Sequence, residues 1–242
     1  MNAPFLSHLE ELRWTLLRCI IALMVCAIPC GIFWQHIYEY IALWPLHLSD
    51  PVPQIIFTAP TDAVYFIIKI ALFTGTLLAS PFLFFQLWHF AAPGLYQKEK
   101  AVLVPVVICS TLCFFAGIAF CYVFLPLFLR FLIGFAGGLM EPLFRVNEYF
   151  SFLIRMCLIF GMAFELPVIS FVLSRMGLIT PAFLIRYLRH AIVIIFIAAA
   201  ILTPTVDILS QLLFGIPLVL LYGISILVSG LTVSRLLPAN SS

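Results

Sequence analysis

The chain has 242 residues, 64% of them hydrophobic and 9% charged, with a net charge of +2 and a mean hydropathy of +1.21. A soluble domain carries about 25% charged residues, so the composition excludes one and predicts a polytopic membrane protein. Cys19, Cys26, Cys30, Cys109, Cys113, Cys121 and Cys157 all fall in apolar runs, odd in number and without CxxC spacing. That pattern argues against a disulfide framework or a metal site and for small packing residues.

Spanning a bilayer takes about 20 apolar residues in a helix. Six such runs are predicted, at about 14–34, 63–92, 101–129, 149–173, 187–203 and 208–233. The expected fold class is therefore all-α: six transmembrane helices in a curved bundle, forming one integral membrane domain over residues 1–242. The fifth run is short enough to thin the bilayer near it. Pro81, Pro105, Pro126, Pro167 and Pro217 lie inside runs and should bend them.

Taken in order, the chain opens on Ser7-His8-Leu9-Glu10-Glu11-Leu12-Arg13. Ser7 and Glu10 have the spacing of a capping box. Leu6, Leu9, Leu12 and Leu16 recur at helical spacing, which predicts a short amphipathic helix lying on the membrane or a neighbouring loop. Glu10 has Arg13 three residues on, whereas Glu11 has Trp14 and Thr15 at the positions where a helix would supply a counter-charge. The first run is not expected to be a cleaved signal peptide, because acids as well as bases flank it and no small-residue cleavage motif follows.

Pro45, Pro51, Pro53 and Pro60 stiffen the loop after the first run, and Gly134, Gly137 and Gly138 loosen the one after the third. These two segments are expected to fold as a cap. Between the second and third runs, Pro93-Gly94 marks a turn, followed by apolar Leu95 and Tyr96 and a second acid, Glu99. Lys98 and Lys100 adjoin Glu99 in sequence but do not face it on a helix. Carboxylates of this kind at one membrane face could grip a pair of guanidinium groups, whose planar forks form charge-assisted, bidentate bonds.

Glu165 sits in Phe160-Gly161-Met162-Ala163-Phe164-Glu165-Leu166-Pro167, inside an apolar run. A carboxyl group in hydrocarbon costs several kcal/mol unless paired, protonated or hydrated, which makes it a functional candidate. It is expected to face the interior of the bundle and draw in water, with Gly161 leaving room beside it and Pro167 loosening the backbone. The bland alternative is a protonated Glu making one interhelical hydrogen bond.

Orientation follows from the basic residues. With a cytoplasmic amino terminus, that side holds Arg13, Arg18, Lys98, Lys100, Arg175, Arg186, Arg189 and Arg235, and the other only Arg130 and Arg145. The positive-inside rule then predicts both termini in the cytoplasm. Lys69 and Arg155 lie within runs and are expected to snorkel outward.

Taken together, the motifs resemble those of the TatC family. They are His8 to Arg13; Phe90 to Lys100; Ala163 to Pro167; Gly177-Leu178 with Thr180-Pro181; Arg186-Tyr187; Ala198 to Ala200; and Thr203-Pro204 with Asp207 and Ser210-Gln211. The resemblance extends from about Phe5 to Val233, in family order and spacing. It implies the core subunit of a twin-arginine translocase, which exports folded proteins across the bacterial inner membrane or the thylakoid membrane. On that resemblance, Glu11 and Glu99 would recognise the twin arginines of a signal peptide, with Arg13, Phe90, Leu95 and Tyr96 shaping the same patch. Glu165 would be the intramembrane polar residue. Thr203, Gln211 and Asp207 would lie in the contact region for the single-span partners TatA and TatB.

The resemblance also implies a homo-oligomer in the receptor complex, a drive from the proton-motive force, and no nucleic acid, cofactor or metal. No Walker-type loop occurs in the sequence. A proton- or ion-coupled secondary transporter using Lys69, Arg155 and Glu165 is the alternative. It would normally show duplicated halves, and the halves here share no motif. An enzyme would need a nucleophile and base or a metal set. His36, His47, His89 and His190 lie near run ends with no Asp or Cys partner motif.

Overall fold

The structure, a computed structural model, describes residues 3–39, 41, 44–48, 54–91, 103–134, 143–202 and 208–236. In chain order it contains α1 (Ala3–Ile32), α2 (Trp34–Tyr38), α3 (Trp44–His47), β1 (Gln54–Ile56), α4 (Asp62–Ala91) and α5 (Leu103–Gly134). Then follow β2 (Leu143–Arg145), α6 (Val146–Ala163), α7 (Leu166–Arg175), α8 (Pro181–Arg186), α9 (Leu188–Leu202) and α10 (Ile208–Leu236). Five stretches are long and apolar enough to cross a membrane: Leu9–Ile32, Asp62–Phe90, Leu103–Gly134, Val146–Arg175 and Ile208–Ser234. Leu188–Ile201 is a shorter apolar helix. The all-α, polytopic class expected from composition is the class observed. The fifth segment is short as anticipated, since the 15 residues of α9 reach about 22 Å against a hydrocarbon core of about 30 Å.

The amino terminus differs from expectation. Helix α1 is one continuous helix of 30 residues, so the backbone of Ser7 lies within it rather than at its start, and no separate amphipathic helix precedes the span. Leu9, Leu12 and Leu16 are exposed and continue the apolar surface of the span. Helices α4 and α10 run on through Pro81 and Pro217. At Pro81, which cannot donate to the carbonyl four residues back, the Ser80 hydroxyl donates to the Leu77 carbonyl instead, at 2.7 Å. Pro105 and Pro167 both fall in the first turn of a helix, where a missing N–H costs nothing.

By its internal contacts the chain divides into two compact units, Met1–Thr111 with Glu141–Ile154, and Leu112–Met140 with Arg155–Ser242. In the first, α1 packs on α4 through backbone contact: a Cβ on Gly75 would stand 2.7 Å from Ala27 Cα. One turn further along α1, Gly31 faces Ala71, whose Cβ would stand 3.4 Å from a Cβ at Gly31, so the two helices are antiparallel. Phe66 of α4 lies edge-on to Trp34, Tyr38 and Phe150. The two segments expected to form a cap are joined by a parallel ladder that the sequence reading did not anticipate, with Gln54, Ile55 and Ile56 opposite Leu143, Phe144 and Arg145.

A polar chain ties the ladder to the helices below it. Asp62, the first residue of α4, accepts hydrogen bonds from Thr58 N, Thr58 Oγ1 and Ala59 N at 3.0, 3.0 and 2.9 Å. Asn147 Nδ2 donates to its other carboxyl oxygen at 2.7 Å. Lys69 Nζ donates to Asn147 Oδ1 at 3.2 Å and to Ser151 Oγ at 2.9 Å. Arg145 pairs with Glu148 at 2.9 Å and donates from Nε to Thr58 Oγ1. Lys69 is thus fastened to α6 rather than snorkelling, and Arg155 is exposed.

The second unit centres on the rings of Phe120, Phe124, Phe128, Phe160 and Phe214. Cys121 and Cys157 are buried beside them as free thiols, 3.4 Å apart. Helix α10 runs parallel to α7, held by Ser170 Oγ donating to the Ser225 carbonyl at 2.8 Å and by the Ser174 and Ser229 hydroxyls at 2.7 Å.

Truncating the Asp62 carboxylate leaves four donors without their acceptor, and charge-assisted bonds are the stronger kind. Asp62→Ala should therefore lower the midpoint of thermal unfolding, and Asn147→Ala should lower it by less. Thermal unfolding of the detergent-solubilised protein measures both, and a wild-type midpoint for Asp62→Ala would contradict the role assigned to the network.

Candidate functional site

Three places carry the residues singled out by sequence. The first is one end of the α1–α4 pair. Its register is set where Gly75 meets Ala27 and Ala71 meets Gly31, four residues forward on α1 matching four back on α4. Continued toward the start of α1, that register brings Leu12 level with Phe90. Glu11 and Arg13, both exposed, therefore share one end of the pair with Phe90. Leu95, Tyr96 and Glu99 lie outside the described residues, in the segment that directly follows α4 in sequence.

The second is the break between α6 and α7. The predicted fourth span is helical up to Ala163, turns at Phe164 and Glu165, and resumes at Leu166. Pro167, in the first turn of α7, has no N–H for the Ala163 carbonyl, so the ladder must open there. It re-forms around the gap through Phe164 N to the Phe160 carbonyl at 3.0 Å, Glu165 N to the Met162 carbonyl at 3.1 Å, and Ile169 N to the Glu165 carbonyl at 2.8 Å. Glu165 is only 6% exposed, so its side chain is largely covered by the chain itself. Gly161 does not leave space for it either, because a Cβ there would stand 2.6 Å from the Phe114 ring. That space is filled by the approach of α5, whose Gly117 would place a Cβ 2.6 Å from the Phe160 carbonyl oxygen. Val168 and Val172 are buried and Met162 is exposed.

The third is the start of α10, where Gln211 is half-buried next to fully buried Ser210. Thr203 and Asp207 lie outside the described residues.

Two polar features escaped the sequence reading. The Asp62–Asn147–Lys69–Ser151 chain joins residues about 80 positions apart, and no local pattern announces it. The α7–α10 clasp had a signal: Ser170 and Ser174, like Ser225 and Ser229, are four apart, the small-xxx-small spacing of closely packed membrane helices.

The turn after α7 is encoded locally. Gly177 has φ of +73°, Leu178 N donates to the Leu173 carbonyl and Gly177 N to the Ser174 carbonyl, both at 3.0 Å. These are the two bonds of a Schellman C-cap. Thr180 then caps α8 through Phe183 N at 3.2 Å, with Pro181 at the first helical position.

Comparison with known proteins accords with this arrangement. The family model described as Sec-independent protein translocase protein (TatC) matches residues 7–217. A protein of that name from Aquifex aeolicus is 38% identical over 235 residues, 96% of this chain and 97% of that one. Its counterpart from Helicobacter pylori strain J99 is 39% identical over 223 residues, 92% of this chain and 87% of that one. A crystal structure described as the twin arginine translocase receptor TatC superposes with a TM-score of 0.84 at 38% identity, covering 93% of this chain and 99% of the other. The chain belongs to the TatC family, the membrane component of the Sec-independent, twin-arginine protein translocase.

Proposed function

We propose that the chain is the signal-peptide receptor and scaffold subunit of a twin-arginine translocase. In this reading it is one multi-pass domain of the bacterial inner membrane with both termini cytoplasmic. It exports folded cargo on the proton-motive force, as a non-enzymatic homo-oligomer with TatA and TatB type partners. The observation that supports the reading is the antiparallel register of α1 and α4, which puts the segment bearing Glu11 and Arg13 level with Phe90 at one end of the pair. The segment bearing Leu95, Tyr96 and Glu99 continues from that end. A receptor for a pair of arginines needs carboxylates near one another at a membrane face, because guanidinium binds them through charge-assisted, two-point bonds. The solved relative described as a receptor supports the same reading. Glu165 serves as an intramembrane polar contact, and Thr203, Gln211 and Asp207 contribute to the surface for partner helices.

Each partly exposed charged hydrogen bond contributes on the order of 1–3 kcal/mol. Glu99→Gln and Glu11→Gln should each weaken binding of a twin-arginine peptide roughly tenfold or more, with a twin-lysine peptide as control. Unchanged affinity in both single variants and the double variant, at normal protein levels, would remove these acids from the site.

Sidedness is tested by thiol labelling in a cysteine-free background, with a new cysteine at Gln97 or at Asp50. An impermeant reagent added from outside should modify only the Asp50 variant; the reverse pattern would put the acids on the wrong face.

Glu165→Gln keeps the hydrogen-bonding shape and removes the titratable proton. If the carboxyl acts as a hydrogen-bonding contact, the Gln variant should retain much of the export activity and Glu165→Ala should lose most of it while still binding peptide. Full export by the Ala variant would take Glu165 out of the mechanism.

A further inference from the structure

Helix α8 and the first turn of α9 form a surface that the reading above leaves unused. One side of α8 is pinned to its own unit: Leu184 is buried, and Tyr222 Oη donates to the Leu184 carbonyl at 3.0 Å. The other side is open. Phe183 and Ile185 are 46% and 57% exposed, and Leu178 and Tyr187 are exposed beside them. The Phe183 and Tyr187 rings are 4.6 Å apart, and the Tyr187 and His190 rings 5.6 Å, so the aromatic surface is continuous from α8 into α9. Arg186 and Arg189 are exposed along it. Between residues 166 and 202 the sequence contains three arginines and no Asp or Glu. Neither Arg186 nor Arg189 makes an ion pair among the described residues.

A surface whose positive charge the described residues leave uncompensated calls for an anion. Bulky apolar side chains interleaved with that charge call for an amphiphile, since a soluble anion would leave Phe183 and Ile185 in water. The position of the surface specifies which amphiphile. It adjoins α9, whose roughly 22 Å falls short of the usual hydrocarbon thickness, so headgroups are drawn in toward the helix end. Aromatic rings at that depth occupy the headgroup boundary. We propose that Arg186 and Arg189 bind the phosphates of anionic phospholipids, with Phe183 and Ile185 seated among the first acyl carbons and Tyr187 at the boundary between them.

The test is native mass spectrometry of the full chain in neutral detergent, titrated with phosphatidylglycerol or phosphatidylcholine. The wild type should bind phosphatidylglycerol more tightly. R186Q/R189Q should reduce that preference by roughly fivefold per arginine, about twenty-five-fold for the pair, as expected for basic groups at an anionic surface. R186K/R189K keeps the charge and should keep most of the preference, which separates loss of attraction from loss of fold. Millimolar inorganic phosphate should not displace the lipid. An undiminished preference in the Gln pair, an equal loss in the Lys pair, or displacement by phosphate would each overturn the proposal.

Discussion

Hydrocarbon offers no hydrogen bonds, and that single deficit accounts for where this chain may depart from a straight helix. An unsatisfied N–H or C=O in lipid costs several kcal/mol, so every interruption needs a local replacement. Beside Pro81 the replacement is the Ser80 hydroxyl on the Leu77 carbonyl. At the Phe164–Glu165 turn the backbone donates to Phe160 and Met162 instead of breaking its ladder outright. After α7 the two crossed bonds around Gly177 close the last carbonyls. Each of these sits where proline, serine or glycine supplies what the standard ladder lacks.

The same solvent removes the usual reason for helices to associate, because lipid tails are as apolar as leucine. Close backbone approach and interhelical hydrogen bonds take over. Gly75 against Ala27 and Gly117 against the Phe160 carbonyl are contacts at which any side chain would collide with backbone. Serine does similar work between α7 and α10, being small enough for contact and able to bond across it. Polar residues that reading by composition treats as liabilities are here the fastening points between helices.

The spans were legible because a run of about 20 apolar residues has one physical solution in a bilayer. The short fifth span and the folding together of the two loops flanking α4 and α6 were legible for the same kind of reason. What was not legible depends on distance along the chain. Strands of three residues carry no periodicity, so the ladder between Gln54–Ile56 and Leu143–Arg145 could not be seen. The spacing from Ser7 to Glu10 suits a cap, but a helix already begun at Ala3 leaves Ser7 no orphan donors to satisfy. Gly161 reads as room for its neighbour's carboxyl until Phe114 is found filling that room.

Around Glu11 the sequence supplies the acid, and helix packing decides where it points. One residue of slip between α1 and α4 would turn Glu11 by about 100° about the helix axis. The contacts that resist slipping lie roughly four to six turns away, at Ala27 with Gly75 and Gly31 with Ala71. The first is made against backbone, where a Cβ on Gly75 would stand 2.7 Å from Ala27 Cα, and the second is a close approach of Gly31 to the Ala71 side chain. The polar network from Thr58 through Asp62 to Lys69 and Ser151 then fixes the far end of α4 against α6. With one end anchored and the middle held in register, contacts many residues away in sequence help to set the angular positions of Glu11, Arg13 and Phe90 at the other end.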